Sequence, residues 1–199
     1  MHVPFRVVLA TASRWRAQLL ADTGVPVELV PAPIDEEAIR AGDPVALAFA
    51  RARAKADAVA ALLGATFEGV VIGADQVAHV DGVAFGKPLS PADHRQRLRQ
   101  LRGRGHTLST AVAFRGPRAT QLAVAADFVE HTDLHFRADV ADDEIDAYVA
   151  TGDGSGCAGG YRAEGPGAWL IERIDGDGSN VIGLPVFGVL ARLRRLAAG

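Results

Sequence analysis

Five short stretches of this chain combine residue types able to handle a charged, phosphate-bearing ligand. In Ala10-Thr11-Ala12-Ser13-Arg14-Trp15-Arg16 a buried strand runs through small residues into a helix start. Free backbone N–H groups and the positive end of the helix dipole bind anions there, and Ser13, Arg14 and Arg16 add donors. The same string also reads as an ordinary capped helix. Asp35-Glu36-Glu37 is a candidate for hard divalent cations, which take loop carboxylates, or the acidic first turn of a short helix. Asp75 and Gln76 follow the apolar run Val70-Val71-Ile72, and an aspartate just past the carboxyl end of a buried strand stands where open α/β sheets place ligands. It has no counter-charge close by in sequence.

Of 21 cationic residues only two are lysines, Lys55 and Lys87. A compact ammonium on a flexible stem is not interchangeable with guanidinium, so these two positions are candidates for a specific need. Lys55 follows Arg51 by one helical turn, a like-charge pairing that costs stability unless something anionic meets it. Lys87 lies in a Gly-Lys-Pro turn. Two ammoniums, two arginines and a helix N-terminus would suit a polyphosphate. The glycine-rich stretch 152–167 contains Cys157-Ala158-Gly159-Gly160-Tyr161-Arg162-Ala163-Glu164. It fits neither the P-loop nor the dinucleotide fingerprint, but it could bring backbone close to a flat ligand with Glu164 as acceptor, or be a plain surface loop. The histidines form no metal-binding pattern: His131 and His135 are four apart on an expected strand.

These residues need a scaffold. Arg6 to Ala10 reads as a buried strand, and Ser13 caps a helix whose candidate apolar positions are Trp15, Leu19 and Leu20. An irregular strand covers 25–34. Asp43-Pro44 starts the longest helix, to about Leu63. A short strand covers 69–72, Asp81-Gly82 makes a hairpin turn, and Ser90-Pro91 opens a helix to about Gly103. Strands follow at 106–114 and 122–136, then an acidic-start helix at 142–149, a strand at 168–174 and a last helix from Leu184. The pattern is an α/β fold: one elongated mixed β-sheet flanked by helices, a single domain over 1–199 carrying two lobes.

Composition narrows the class. A 199-residue chain that is 49% hydrophobic and 23% charged can bury a globular core. The net charge of −3 argues against a dedicated nucleic-acid binder. One cysteine excludes a disulfide scaffold, and the start lacks the pattern of a secretory leader, so a cytoplasmic location is expected. The longest apolar run, 181–191, is too short to span a membrane.

In order, LATASRWRAQLL (9–20), APIDEEAI (32–39), ARARAKADA (50–58), VIGADQVAHVDGVAFGKPLS (71–90), GRGHTLSTAVAF (103–114) and the stretch 157–186 resemble the Maf-like nucleoside triphosphate pyrophosphatases. The resemblance implies a deep cleft between lobes. It further implies a hydrolase that uses a divalent metal, Mg or Mn, to cleave between the α- and β-phosphates. It assigns phosphate binding to Ser13, Arg16, Lys55 and Lys87, a metal-associated role to Glu36, and proton acceptance with metal contact to Asp75. A nucleoside triphosphate is the implied partner, and a homodimer is a further possibility. Substrate choice in the family turns on three positions: one branch, acting on dTTP and UTP, typically has Arg, Thr and Gln, and another, acting on 7-methyl-GTP, has Trp, Gln and Glu. Trp15, Gln76 and Glu164 resemble the second branch. The cationic N7-methylguanine favours an indole face, and a carboxylate accepts from its N1 and N2 donors. Arg14 departs from a usual proline and Ala74 from a usual serine of that branch. The expectation is therefore a 7-methyl-GTP pyrophosphatase, with a dTTP/UTP pyrophosphatase or a non-catalytic nucleotide-binding regulator of septum formation as alternatives.

Overall fold

A computed structural model describes residues 3–119 and 127–198. Its frame is a seven-stranded mixed sheet in which β1 (Arg6–Leu9), β2 (Glu28–Leu29), β3 (Gly69–Val80), β5 (Gly105–Arg115), β6 (Phe128–Phe136) and β7 (Ile171–Asp175) lie in the order β2-β1-β3-β5-β6-β7. A further strand, β4 (Val83–Phe85), pairs with the end of β3. Strand β1 runs parallel to β2 and β3, and every pairing from β3 onward is antiparallel. The expected α/β class with an elongated mixed sheet is therefore what the chain adopts.

Six α-helices among the described residues flank this sheet: α1 (Arg14–Ala21), α2 (Pro44–Leu63), α3 (Pro91–Leu101), α4 (Asp142–Ala150), α5 (Gly178–Ile182) and α6 (Val186–Ala198). Their starts follow local chemistry. The side chains of Ser13, Asp43 and Ser90 accept from the backbone N–H groups of Arg16, Ala46 and Asp93, and proline opens α2 and α3. Helix α2 buries Ala48, Ala52, Ala56 and Val59 against one face of the sheet. Helix α6 lays Val189, Leu193 and Leu196 on the other, beside Leu9, Ile72 and Phe114. A separate cluster of Leu98, Leu108, Leu134, Phe136, Ile145 and Tyr161 forms the core of the second lobe. Strands β3 and β5 are long enough to run through both lobes, which makes the two cores one sheet.

Three boundaries differ from expectation. The strand expected at 69–72 continues to Val80, because β5 goes on pairing with it from Val71 opposite Arg115 to His79 opposite Thr107. Only the parallel pairing with β1 stops at Leu9 opposite Ile72. Asp75 is thus a mid-strand residue just beyond the end of its shorter neighbour. Strand β2 shrinks to two residues because Pro26, Pro31 and Pro33 have no N–H to give a ladder. The strand expected from 168 begins at Ile171, after a 3₁₀ turn over Pro166–Leu170. Residues 122–126 of the segment expected to be strand lie outside the described residues. The Asp81-Gly82 turn has positive φ at both residues, 51° and 76°, as a tight hairpin of right-handed strands requires. No described helix is long and apolar enough to cross a membrane.

Candidate active site

A cleft of about 980 Å³ opens where β1 ends, walled by both lobes. Ser13, Trp15, Arg16, Glu36, Lys55, Asp75, Gln76, Lys87 and Glu164 all line it. Arg14 does not: it opens the first helical turn with its side chain exposed, away from the cleft lining.

The deepest group is an acidic pair holding an ammonium. Lys55, 4% exposed, places Nζ 2.7 Å from Asp75 Oδ1 and 2.6 Å from Glu36 Oε2. These contacts answer the question raised by Arg51 and Lys55 on one helix face. The protein supplies the anions itself, with Glu37 3.7 Å from Arg51. They also correct the reading of Asp75 as lacking a counter-charge, because its partner lies twenty residues back on α2, which the fold brings over β3. Asp75 is 5% exposed and its other oxygen, Oδ2, is buried without a protein partner. A buried carboxylate oxygen left unpaired is costly unless a ligand, water or cation meets it.

The geometry rests on the close approach of α2 to β3. A Cβ added at Gly73 would lie 2.1 Å from the Ala52 carbonyl oxygen and 2.8 Å from the Ala56 nitrogen. Only glycine there, and alanines facing it, bring Lys55 close enough to reach Asp75. Glu36 comes from a 3₁₀ turn capped by Asp35, whose side chain accepts from the Glu37 N–H. The triplet is thus the acidic first turn of a short helix, and Glu36 and Glu37 also line the cleft.

Arg16 reaches across the cleft floor. Its Nε donates to the Gly183 carbonyl at 2.7 Å and Nη1 to the Ala74 carbonyl at 3.1 Å. Burial pulls its pKa down from the ordinary value, while Asp75 and Glu36 push it back up. It remains a fixed cation. Lys87 sits on the opposite rim, exposed, beside Gly86, whose carbonyl accepts from Arg97. The two lysines therefore differ: one is locked between carboxylates, the other is free to swing toward an anion.

At the other end of the cleft the glycine-rich stretch meets α1. Trp15 is 53% exposed, so it is no core position of the first helix, contrary to its place in the apolar pattern. The Arg162 guanidinium lies over its ring, 4.5 Å from the centroid. Arg162 Nε donates to Glu164 at 3.0 Å and Nη1 to Asp153 at 3.0 Å. Gln76 is tied from within, its amide donating to Thr110 Oγ1 at 3.0 Å and the Asn180 carbonyl at 2.6 Å. Burial and the Glu164 charge push the Cys157 thiol above its ordinary pKa, the opposite of the shift that activates a thiol. Behind the loop, Tyr161 is anchored by its hydroxyl to His106 Nε2 at 2.6 Å, and Gly160, at φ 80°, gives its carbonyl to His94. A side chain at Gly160 would collide with the His94 ring.

Sequence reading gave Arg51, Asp153 and Arg162 no place in the site, and all three line the cleft. Arg51 was visible as a like-charged neighbour of Lys55 but has a second mark in the structure, a buried Nε without a partner. Asp153 and Arg162 are joined only by the fold of the glycine-rich stretch, although Arg162 stands two residues before Glu164. No cluster of histidine, cysteine and carboxylates with metal-binding geometry occurs among the described residues. A hard cation would instead have to use Glu36 and Asp75 oxygens together with oxygens of a ligand.

The chain matches the family model described as Maf-like protein over residues 6–196. Among curated relatives, a dTTP/UTP pyrophosphatase of Moorella thermoacetica is 42% identical over 92% of this chain and 91% of its own. A nucleoside triphosphate pyrophosphatase of a Synechococcus strain is 40% identical over 96% of this chain and 91% of its own. A dTTP/UTP pyrophosphatase of Deinococcus radiodurans is 39% identical over 95% and 92%. With that extent of match, and a cleft assembled from the same stretches that carry the sequence resemblance, this chain belongs to the Maf-like family.

Proposed function

We propose that this protein is a nucleoside triphosphate pyrophosphatase, hydrolysing the bond between the α- and β-phosphates to give a nucleoside monophosphate and pyrophosphate. The observation that carries the reading is Asp75: one oxygen fixed by Lys55, the other buried, unpaired and lining a cleft ringed by Ser13, Arg16, Lys87 and Arg51. A carboxylate held this way can accept a proton from a water and aim its oxygen at phosphorus. In the proposed step the water oxygen bonds to the α-phosphorus, the bond to the bridging oxygen breaks, the proton passes to Asp75 Oδ2 and pyrophosphate departs. Arg16 and Lys87 meet charge on the phosphate oxygens, and the Ser13 end of α1 adds helix-dipole stabilisation. Glu36, half-exposed at the cleft, would hold a hard divalent cation, Mg or Mn, together with phosphate oxygens of the ligand and with Asp75 beside it, while Asp75 Oδ2 is kept for the proton. Bound there, such a cation would supply Lewis-acid stabilisation of phosphate charge.

For the base, the relatives' names favour thymidine and uridine triphosphates over the 7-methyl-GTP expected from Trp15, Gln76 and Glu164. We take dTTP and UTP as the leading substrates. The second reading, 7-methyl-GTP, retains one specific support: an exposed indole and a carboxylate in the same wall of the cleft. Pyrophosphate release from dTTP, UTP and 7-methyl-GTP with Mg²⁺ or Mn²⁺ decides between them. Turnover of dTTP or UTP with little of 7-methyl-GTP supports the leading reading, and the reverse supports the second. No pyrophosphate from any triphosphate, with tight nucleotide binding, would instead support the regulator without catalysis.

A further inference from the structure

The base end of the cleft already holds a cation of its own. Arg162 spreads its guanidinium over Trp15 at 4.5 Å from the ring centroid and bonds Glu164 at 3.0 Å. An indole face and a carboxylate are the two features a cationic base would need, and Arg162 occupies both. It is no loosely solvated side chain. Asp153 grips its other side at 3.0 Å, the Tyr148 hydroxyl donates to Asp153 at 3.0 Å, and the Arg162 backbone N–H donates to that same hydroxyl at 3.1 Å. Tyr148 comes from α4, so a helix of the second lobe fixes where the guanidinium lies. Only about a quarter of the Arg162 side chain is exposed.

We infer that Arg162 is the specificity-determining residue of the base subsite, selecting neutral bases that present a carbonyl oxygen beside an N–H and excluding cationic ones. A guanidinium next to a carboxylate offers a donor beside an acceptor, the complement of such an imide edge. A neutral ring pairs with Arg162 and Glu164 as they stand. A positively charged ring meets like charge, and must break Arg162 away from Glu164 and Trp15 before it can stack. Thymine and uracil belong to the accepted class, and 7-methylguanine to the rejected one. The inference deepens the proposed function and rests on it: it explains how a chain with Trp15 and Glu164 in its cleft selects dTTP and UTP.

The test compares kcat/KM for dTTP, GTP and 7-methyl-GTP in the unaltered protein, Arg162→Gln and Arg162→Lys. GTP and 7-methyl-GTP differ by one methyl and one charge, so their ratio isolates the effect of base charge. Arg162→Gln should raise 7-methyl-GTP relative to both dTTP and GTP by about tenfold or more, through KM rather than kcat. Arg162→Lys keeps the charge but loses the planar stack and the fork, and should shift the ratios in the same direction by less. Unchanged ratios in a folded Arg162→Gln, equal losses on all three substrates, or a preference of the unaltered protein for 7-methyl-GTP would each overturn the assignment. If no triphosphate is hydrolysed, the proposed reaction fails instead, and calorimetric Kd ratios for the same nucleotides judge Arg162 on their own.

Discussion

The two ends of the cleft are built in different ways. At the phosphate end, Lys55 and Asp75 stand on a helix and a strand pressed together at Gly73, both nearly fully buried, with Glu36 closing over them. At the base end, Trp15 stands on an exposed helix face and Arg162, Glu164 and Asp153 on a glycine-rich loop, joined by partly exposed ion pairs. Regular elements hold groups rigidly where a transition state needs fixed charges, and loops suit a surface whose job is to discriminate. On the proposed assignment, the contrast makes chemistry and choice separable in this molecule. Changes at one end should alter turnover, and changes at the other should alter the ranking of substrates.

The largest expected effect comes from Asp75→Asn. The side chain keeps its shape but cannot take a proton, so kcat should fall about 10²–10⁴-fold with every nucleotide while Kd for nucleotide changes little. A substrate-dependent loss would break the separation. Lys55→Arg comes next. The buried slot between Glu36, Asp75 and the Ala74 carbonyl is shaped for an ammonium, and the bulkier planar group should lower kcat by about a hundredfold. Lys87→Arg, on the exposed rim, should cost only a few-fold in the same steady-state assay. Equal losses in the two variants would contradict the difference in burial.

Gly73→Ala tests the frame beneath that pair. The added methyl would force α2 off β3, with a stability cost of about 1–3 kcal/mol read by denaturant melts and a loss of turnover larger than this cost predicts. Wild-type turnover in that variant would show that the position of Lys55 is not set by this contact.

The smallest effect concerns pH and the base end alone. Burial holds the His106 pKa down at about 4, against about 6.5 unfolded, so the native ring is neutral where the unfolded ring gains a proton. Its contribution is fully present above the unfolded value and is lost as pH falls from there toward the folded one, at most about 3 kcal/mol. His106→Gln should flatten this acid limb in melts taken across that window. Because His106 anchors Tyr161, next to Arg162, acidification should blur base selectivity before it slows the preferred substrate. The opposite order would weaken the link between His106 and the loop.

Legibility in the sequence follows the same divide. The caps at Ser13, Asp43 and Ser90, the Asp81-Gly82 turn and the α2 limits were readable because each depends on adjacent residues. The nine cleft-lining residues named from pattern and family resemblance do line one cleft. What stayed hidden was set by distant partners. The extension of β3 depends on β5, and the ion pair of Asp75 depends on a lysine one helix away. Trp15 fits an apolar helix pattern on spacing alone, and only the fold shows its face turned outward beneath Arg162. Charge count could not reveal that five anions and three cations of the cleft are paired with one another in the free protein.

The most direct measurement of the central claim is to run the reaction in heavy-oxygen water and weigh both products. Attack by an Asp75-directed water on the α-phosphorus puts one heavy oxygen in the nucleoside monophosphate and none in pyrophosphate. Heavy oxygen in pyrophosphate, or orthophosphate as the first product, would contradict the account.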